Sequence, residues 1–212
     1  AGKSTIVKLI LRYYDPSKGS ILVNGIDIKK YNIKELRRHF SVLFQNYSNY
    51  AFTISENITI SDLNNKDDIE KLKTAIERSG VQSIIDKCDS GLDTYLTRQF
   101  EEDGKELSGG EWQKIALART FFRDGDIIIL DEPSARLDPE AEHQIFTKFA
   151  ELCEGKGAIF ISHRLSNVTM ADRIIVLDDG KVIEDGSHKK LMELKGKYSY
   201  LFNLQAEKYK VG

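Results

Sequence analysis

Three short strings in this 212-residue sequence carry the residue types that chemistry on phosphate needs. The first is Ala1-Gly2-Lys3-Ser4-Thr5, a run of small residues that ends in Lys and Ser just before apolar residues begin to recur at helical spacing. A small-residue loop feeding a helix aims backbone N–H groups at an anion, with the lysine in reach of terminal phosphates and the serine hydroxyl available to Mg2+. A turn of small residues that only caps a helix would account for the same five positions. The second string, DIIILDEPSARLD from Asp126 to Asp138, delivers Asp131 and Glu132 to the carboxyl end of an apolar run. Ligands of open α/β sheets bind at that end, where Asp131 can hold Mg2+ and Glu132 can polarise an attacking water. Helix-capping acids at a solvated strand end are the alternative. The third string is LSGGE, Leu107 to Glu111, ahead of the helical WQKIALARTFF. Ser108 and Glu111 make a capping box that needs no ligand. Gly109 and Gly110 are not explained by it; they clear side chains from a helix N-terminus and let a phosphate approach bare amides.

The elements that must position these strings follow from periodicity. Ile6, Val7, Leu9, Ile10 and Leu11 form a helical pattern directly after Ser4. GSILVNGIDI has strand composition punctuated by Gly19 and Gly25, IKELRRHF is helical, and SVLFQ is a buried strand running out into a loop at Gln45. From Asn46 to about Arg123 helical stretches such as DDIEKLKTAIERSG dominate, which predicts a helical insertion. Strands then return as DIIILDE, GAIFIS and DRIIVLDDGKVIEDG with helices between them, and GKYSYLFNLQAEKY is a closing amphipathic helix. That alternation predicts an α/β core with a largely parallel sheet.

Composition narrows the function. Lys and Arg total 31 against 33 Asp and Glu, a net charge of -2, so the basic excess typical of nucleic-acid binding is missing. The longest strongly apolar run, Ile127 to Leu130, is far short of the roughly 20 residues that cross a bilayer, which predicts a soluble chain. Cys88 and Cys153 lack metal-ligand spacing and read as reduced thiols. Because the sequence starts with Ala inside a motif, it is expected to be a piece of a longer polypeptide.

LSGGEWQ resembles the signature motif of the ATP-binding-cassette (ABC) ATPase family. Around it, Lys3-Ser4 resembles the end of a Walker A loop and Asp131-Glu132 a Walker B pair. Gln45 in VLFQN is similar to the Q-loop glutamine, Asp138 in SARLD to the D-loop aspartate, and His163 in FISHRLS to the switch histidine, all in the family's order. The resemblance implies a P-loop NTPase (RecA-like) core with a mainly parallel sheet over residues 1–45 and 124–212, its N-terminal strands missing. It also implies an α-helical signature subdomain over 46–123. Ala1, Gly2, Lys3, Ser4, Thr5, Ser108, Gly109, Gly110 and Asp138 would contact ATP. Ser4, Gln45 and Asp131 would hold Mg2+, and Glu132, His163 and Gln45 would serve catalysis. TISENI (Thr53 to Ile58), FEEDGKELSGG and HRLSNVTMADRIIVLDDGKVIEDGSHKKLM resemble the exporter branch, with Glu102 at the position of the exporters' acid before the signature. Trp112 departs from the branch, which more often has a basic residue there.

The implied unit is a head-to-tail pair of cassettes, in which Ser108, Gly109 and Gly110 of one would meet the γ-phosphate held by Lys3 of the other. The implied partners are thus a second cassette and a transmembrane domain upstream on the same polypeptide, with no nucleic acid. The implied location is the cytoplasmic face of a membrane, and the Lys-, Ile- and Asn-rich wording points to a bacterium. Two other readings stay open: a soluble ABC ATPase acting on nucleic acid or the ribosome, and a nucleotide-binding module that does not hydrolyse. With the front of its phosphate loop and the adenine-stacking aromatic residue absent, the 212-residue chain by itself is expected to bind ATP weakly or not at all.

Overall fold

A computed structural model describes residues 2–132, 149, 153 and 155–210. Ala1 and Asp138 lie outside the described residues. The chain forms two compact units, Ala1–Leu36 with Phe160–Gly212, and Arg37–Ile159.

In the first unit, α1 (Lys3–Ile10) starts directly after Gly2, and Val7 and Leu11 are its buried contacts. A short antiparallel hairpin follows, β1 (Leu22–Val23) and β2 (Ile26–Asp27), turned by Asn24-Gly25. Both turn residues have positive φ, 51° and 76°, the geometry that matches the twist of paired strands. A second hairpin, β6 (Ile174–Asp178) with β7 (Lys181–Gly186), turns at Asp179-Gly180 with φ of 45° and 71°. The sequence DRIIVLDDGKVIEDG is therefore two antiparallel strands split by an Asp-Gly turn, outside the parallel sheet. Around the second hairpin lie α7 (Leu165–Val168), α8 (His188–Glu193) and α9 (Lys197–Lys210). Their core is Ile174, Leu191 and Tyr198, flanked by Leu165, Val168 and Phe202. Glu184 of β7 accepts the backbone N–H groups of Lys197 and Tyr198, which places an anion on the first turn of α9.

After the β1–β2 hairpin in sequence comes α2 (Ile33–Arg38), which buries Leu36. In the second unit, β3 (Phe40–Leu43) pairs in parallel with β4 (Ile127–Asp131), and the sheet order is β3-β4-β5, with β5 spanning Gly157–Ile161. β3 and β4 are buried nearly throughout, as the continuous apolar run in each requires of a covered parallel strand. Here is the parallel sheet that the alternation of elements predicts. Between β3 and β4 the chain forms α3 (Ile54–Thr59), α4 (Ile69–Ser79), α5 (Gln82–Ile85) and α6 (Gly109–Arg123), with isolated bridges Thr53–Tyr95 and Leu96–Lys105 before α6. Asp68 caps α4 by accepting the Lys71 N–H at 3.0 Å, and Gly80 ends it at φ 74°. These helices share one core, including Ile54, Ile58, Leu72, Ile76, Ile115 and Phe122, and α6 packs on α3, α4 and β3. Trp112 belongs to this core at 5% exposure, so its face of α6 is apolar and a basic side chain there would be buried. Cys88 and Cys153 are free thiols, and burial raises the Cys153 pKa.

Candidate functional site

The β3–β4 register decides where three of the candidate residues emerge. Phe40 pairs with Ile127 and Leu43 with Leu130, so β3 runs out two residues before Gln45 and β4 runs out at Asp131, just before Glu132, at the same end of the parallel pair. Gln45, Asp131 and Glu132 therefore leave the sheet at one carboxyl edge, where adjacent strands are about 4.8 Å apart. The register is locked at the other end. Gly125 donates its N–H to Ser41 Oγ at 2.7 Å, and the Ile127 N–H donates to the His39 carbonyl at 2.9 Å. A Cβ on Gly125 would stand 2.7 Å from the Phe40 carbonyl carbon, so only glycine permits this approach. Asp131 is 6% exposed, whereas Gln45 is exposed and Glu132 half-buried. Glu132 has φ 52°, a left-handed conformation rare for its residue type and often found at functional positions.

α6 opens the second candidate site. Ser108 Oγ accepts the Glu111 N–H at 3.3 Å and Glu111 Oε2 accepts the Ser108 N–H at 2.9 Å, so both arms of the capping box close. The bond from the Ser108 backbone holds the Glu111 carboxyl below the usual glutamate range. Gly109 and Gly110 need glycine for no local reason. Neither has positive φ, and a Cβ on either would meet nothing within 4 Å. Tyr47, two residues past Gln45, donates its hydroxyl to the Gly109 carbonyl at 3.2 Å.

Sequence reasoning missed the group that ties Gln45's loop to this helix. Arg119 of α6 donates to the Asn57 carbonyl at 2.6 Å, to Asn57 Oδ1 at 2.5 Å and to the Ser48 carbonyl at 2.6 Å. Its guanidinium also lies 5.0 Å from the Tyr50 ring centroid, and Tyr50 stacks on Phe52. Asn57, wholly buried in α3, donates in turn to the Tyr50, Phe52 and Thr53 carbonyls. Burial lowers the Arg119 pKa to about 10, which leaves it charged at neutral pH. A faint signal was present: Arg119 falls on the same helical face as Ile115 and Phe122, where a charge is out of place unless it is held.

The first unit carries the remaining candidates. Gly2 has φ 103° and precedes α1, and its carbonyl accepts the Ile6 N–H at 3.2 Å. Lys3, half-buried, and Ser4 and Thr5, exposed, therefore form the first turn of a helix, where backbone N–H groups point outward. His163 follows β5 by two residues and is exposed. The backbone of its turn is gripped by Gln205 of α9, which donates to the His163 carbonyl at 2.6 Å and accepts the Leu165 N–H at 2.8 Å.

Residues 1–135 match the family model described as ABC transporter. The chain belongs to the ABC transporter family. This ABC chain is 40% identical over 207 residues to the ATP-dependent lipid A-core flippase of Vibrio vulnificus, covering 97% of itself and 34% of that protein. It is 43% identical over 202 residues to the nisin transport ATP-binding protein NisT of Lactococcus lactis subsp. lactis, covering 95% of itself and 34% of that protein. Among solved structures, a bacterial Atm1-family ABC exporter with ATP bound matches with a TM-score of 0.87 at 33% identity, over 97% of this chain and 35% of that one. The ABC chain thus spans about a third of the length of the curated relatives it matches. Within the family it is similar to the ATP-binding part of exporters, and its fold is the P-loop NTPase fold of that part. Among the described residues, no helix is long and apolar enough to cross a membrane.

Proposed function

We propose that the chain binds and hydrolyses ATP to drive export across a membrane, on the cytoplasmic face and joined to a transmembrane domain on the same polypeptide. The observation that carries this reading is the parallel pairing of β3 with β4, whose shared carboxyl edge is followed directly by Gln45 on one strand and by Glu132 on the other. Hydrolysis of a phosphoanhydride needs a positioned water and stabilised charge more than covalent chemistry. Glu132 orients the water and accepts its proton. Gln45, which leaves the sheet at the same carboxyl edge, reads whether water and metal are in place and passes that state through the Tyr47–Gly109 and Arg119–Ser48 bonds to α6. In the first unit, the N–H groups of the first turn of α1 and the Lys3 ammonium bind the terminal phosphates. His163 contacts the γ-phosphate.

Each unit offers oxygen donors that suit Mg2+: in the second the buried Asp131 carboxylate and the Gln45 amide oxygen, in the first the Ser4 hydroxyl. Among the described residues no three His, Cys, Asp or Glu side chains form a cage of their own. When bound, Mg2+ would neutralise charge on the phosphates.

The glycine pair points to the partner. Among the described residues a Cβ on Gly109 or Gly110 would meet nothing, and bare amides at a helix N-terminus suit an anionic group brought from outside the chain. A head-to-tail second cassette would bring that group, with Ser108, Gly109 and Gly110 meeting the γ-phosphate that Lys3 of the other copy holds. The test is Glu132→Gln in the intact polypeptide. ATP should stay bound and turnover fall below a hundredth; unchanged turnover would remove Glu132 from its role.

A further inference from the structure

Gln205 is distant in sequence from every motif, in α9 and outside the residues that the family model matches. Its two hydrogen bonds go to one acceptor and one donor, the His163 carbonyl at 2.6 Å and the Leu165 N–H at 2.8 Å. These partners fix the orientation of the amide, since a carbonyl can only accept and an N–H can only donate. A carboxamide offers both functions from one planar group; a lysine lacks the acceptor and an ionised glutamate lacks the donor. The two bonds straddle Arg164, whose own N–H donates to Ser162 Oγ at 2.9 Å. The backbone of the turn from Ser162 to Leu165 is therefore held from within by Ser162 and from outside by Gln205.

The anchor is itself fixed. Tyr198 on α9 is 1% exposed in the core with Leu191 and Ile174, and its hydroxyl lies 2.8 Å from His188 Nδ1. Phe202, one turn on, packs against the same core, and Glu184 holds the first turn. Gln205 follows Tyr198 and Phe202 along the helix by seven and three residues, so the face that packs on the core also delivers the amide.

We propose that Gln205 is a positioning residue for hydrolysis: from α9 it clamps the backbone on both sides of Arg164, directly after His163, and so sets where the imidazole meets the nucleotide. The proposal rests on the reading of His163 as the γ-phosphate contact. A displacement of α9 would then be transmitted to turnover without any change in the residues that touch ATP.

The experiment uses the intact polypeptide and single-turnover ATP hydrolysis, which keeps slow variants measurable. Gln205→Met preserves length and packing but removes both hydrogen bonds, and Gln205→Ala removes the stem as well. Both should lower the rate constant between about tenfold and about a hundredfold, with the KM for ATP and the thermal midpoint at wild-type values. Gln205→Met placed on His163→Ala should cost nothing further, because the amide acts through the histidine. Multiplying effects in that double variant, a rate loss that tracks a falling thermal midpoint, or wild-type turnover in Gln205→Met beside an impaired His163→Ala would each overturn it. Wild-type turnover in His163→Ala would instead overturn the reading of His163, and the proposal with it.

Discussion

Removing the Arg119 guanidinium should cost the second unit far more than its place on a half-exposed helix position suggests. Arg119→Ala takes the charged donor from three acceptors, the Asn57 carbonyl, Asn57 Oδ1 and the Ser48 carbonyl. Ser48 is exposed and water replaces the donor there, but Asn57 is 0% exposed. Two buried acceptors short of a partner cost about 1–3 kcal/mol each, and the lost contact with the Tyr50 ring adds about 0.5–1 kcal/mol. A working figure is about 4 kcal/mol. The assay is built in: Trp112 is the single tryptophan and lies in the adjoining core at 5% exposure, so its fluorescence follows unfolding of this unit. With a urea dependence of about 2.5 kcal/mol per molar, the midpoint should fall by about 1.5 M. Arg119→Lys, with a single ammonium for three separated acceptors, should recover about half of that loss. Asn57→Ala combined with Arg119→Ala should cost less than the sum of the two, since each removes the other's partner. A shift below about 0.3 M for Arg119→Ala would refute the reasoning, because it would mean that solvent already serves those acceptors.

Gly110→Ala should leave stability unchanged or raise it by up to about 1 kcal/mol, since alanine is the better helix former and its Cβ meets nothing, while hydrolysis by the intact polypeptide falls about a hundredfold. A loss of thermal stability instead would return the glycine to a local role. Glu111 gives a pH dependence of known sign. Its carboxyl sits below the ordinary value of 4.5 in the folded chain, so its contribution is complete above 4.5 and disappears as pH falls through the lower folded value. Glu111→Gln keeps an acceptor for the Ser108 N–H but does not titrate, so the stability gap between wild type and variant should shrink on acidification; a gap that stays constant in pH-dependent urea titrations would rule this out.

The sequence carried those parts of the site that depend on local chemistry. Ser108 and Glu111 are three residues apart, and their capping box closes as that spacing requires. The buried strands at Val42 and Ile128 were visible as apolar runs, and with them the edge that receives Gln45 and Glu132. What stayed hidden lies in long-range pairings. Arg119 meets Asn57 across 62 residues and Gln205 meets His163 across 42, and no periodicity links either pair. Trp112 looked like a departure within a motif because motif spacing does not report which face of α6 meets the core. The Asp179-Gly180 turn was legible as a hairpin signal, yet the apolar residues on either side of it merge into one strand unless the turn is weighed first.

α6 is held along its whole length. Tyr47 and the capping box hold its start, Arg119 grips α3 near its far end, and Arg123 in its last turn donates to the Ser61 carbonyl at 2.7 Å and the Arg37 carbonyl at 3.1 Å. Its 15 residues make a rod about 22 Å long. Such a rod has leverage but no slack: a tilt of about 5° at the glycine end would carry the Arg123 end through about 2 Å. A small rotation at Ser108 is thus amplified at Ser61 and Arg37, and the gearing is set by helix length alone.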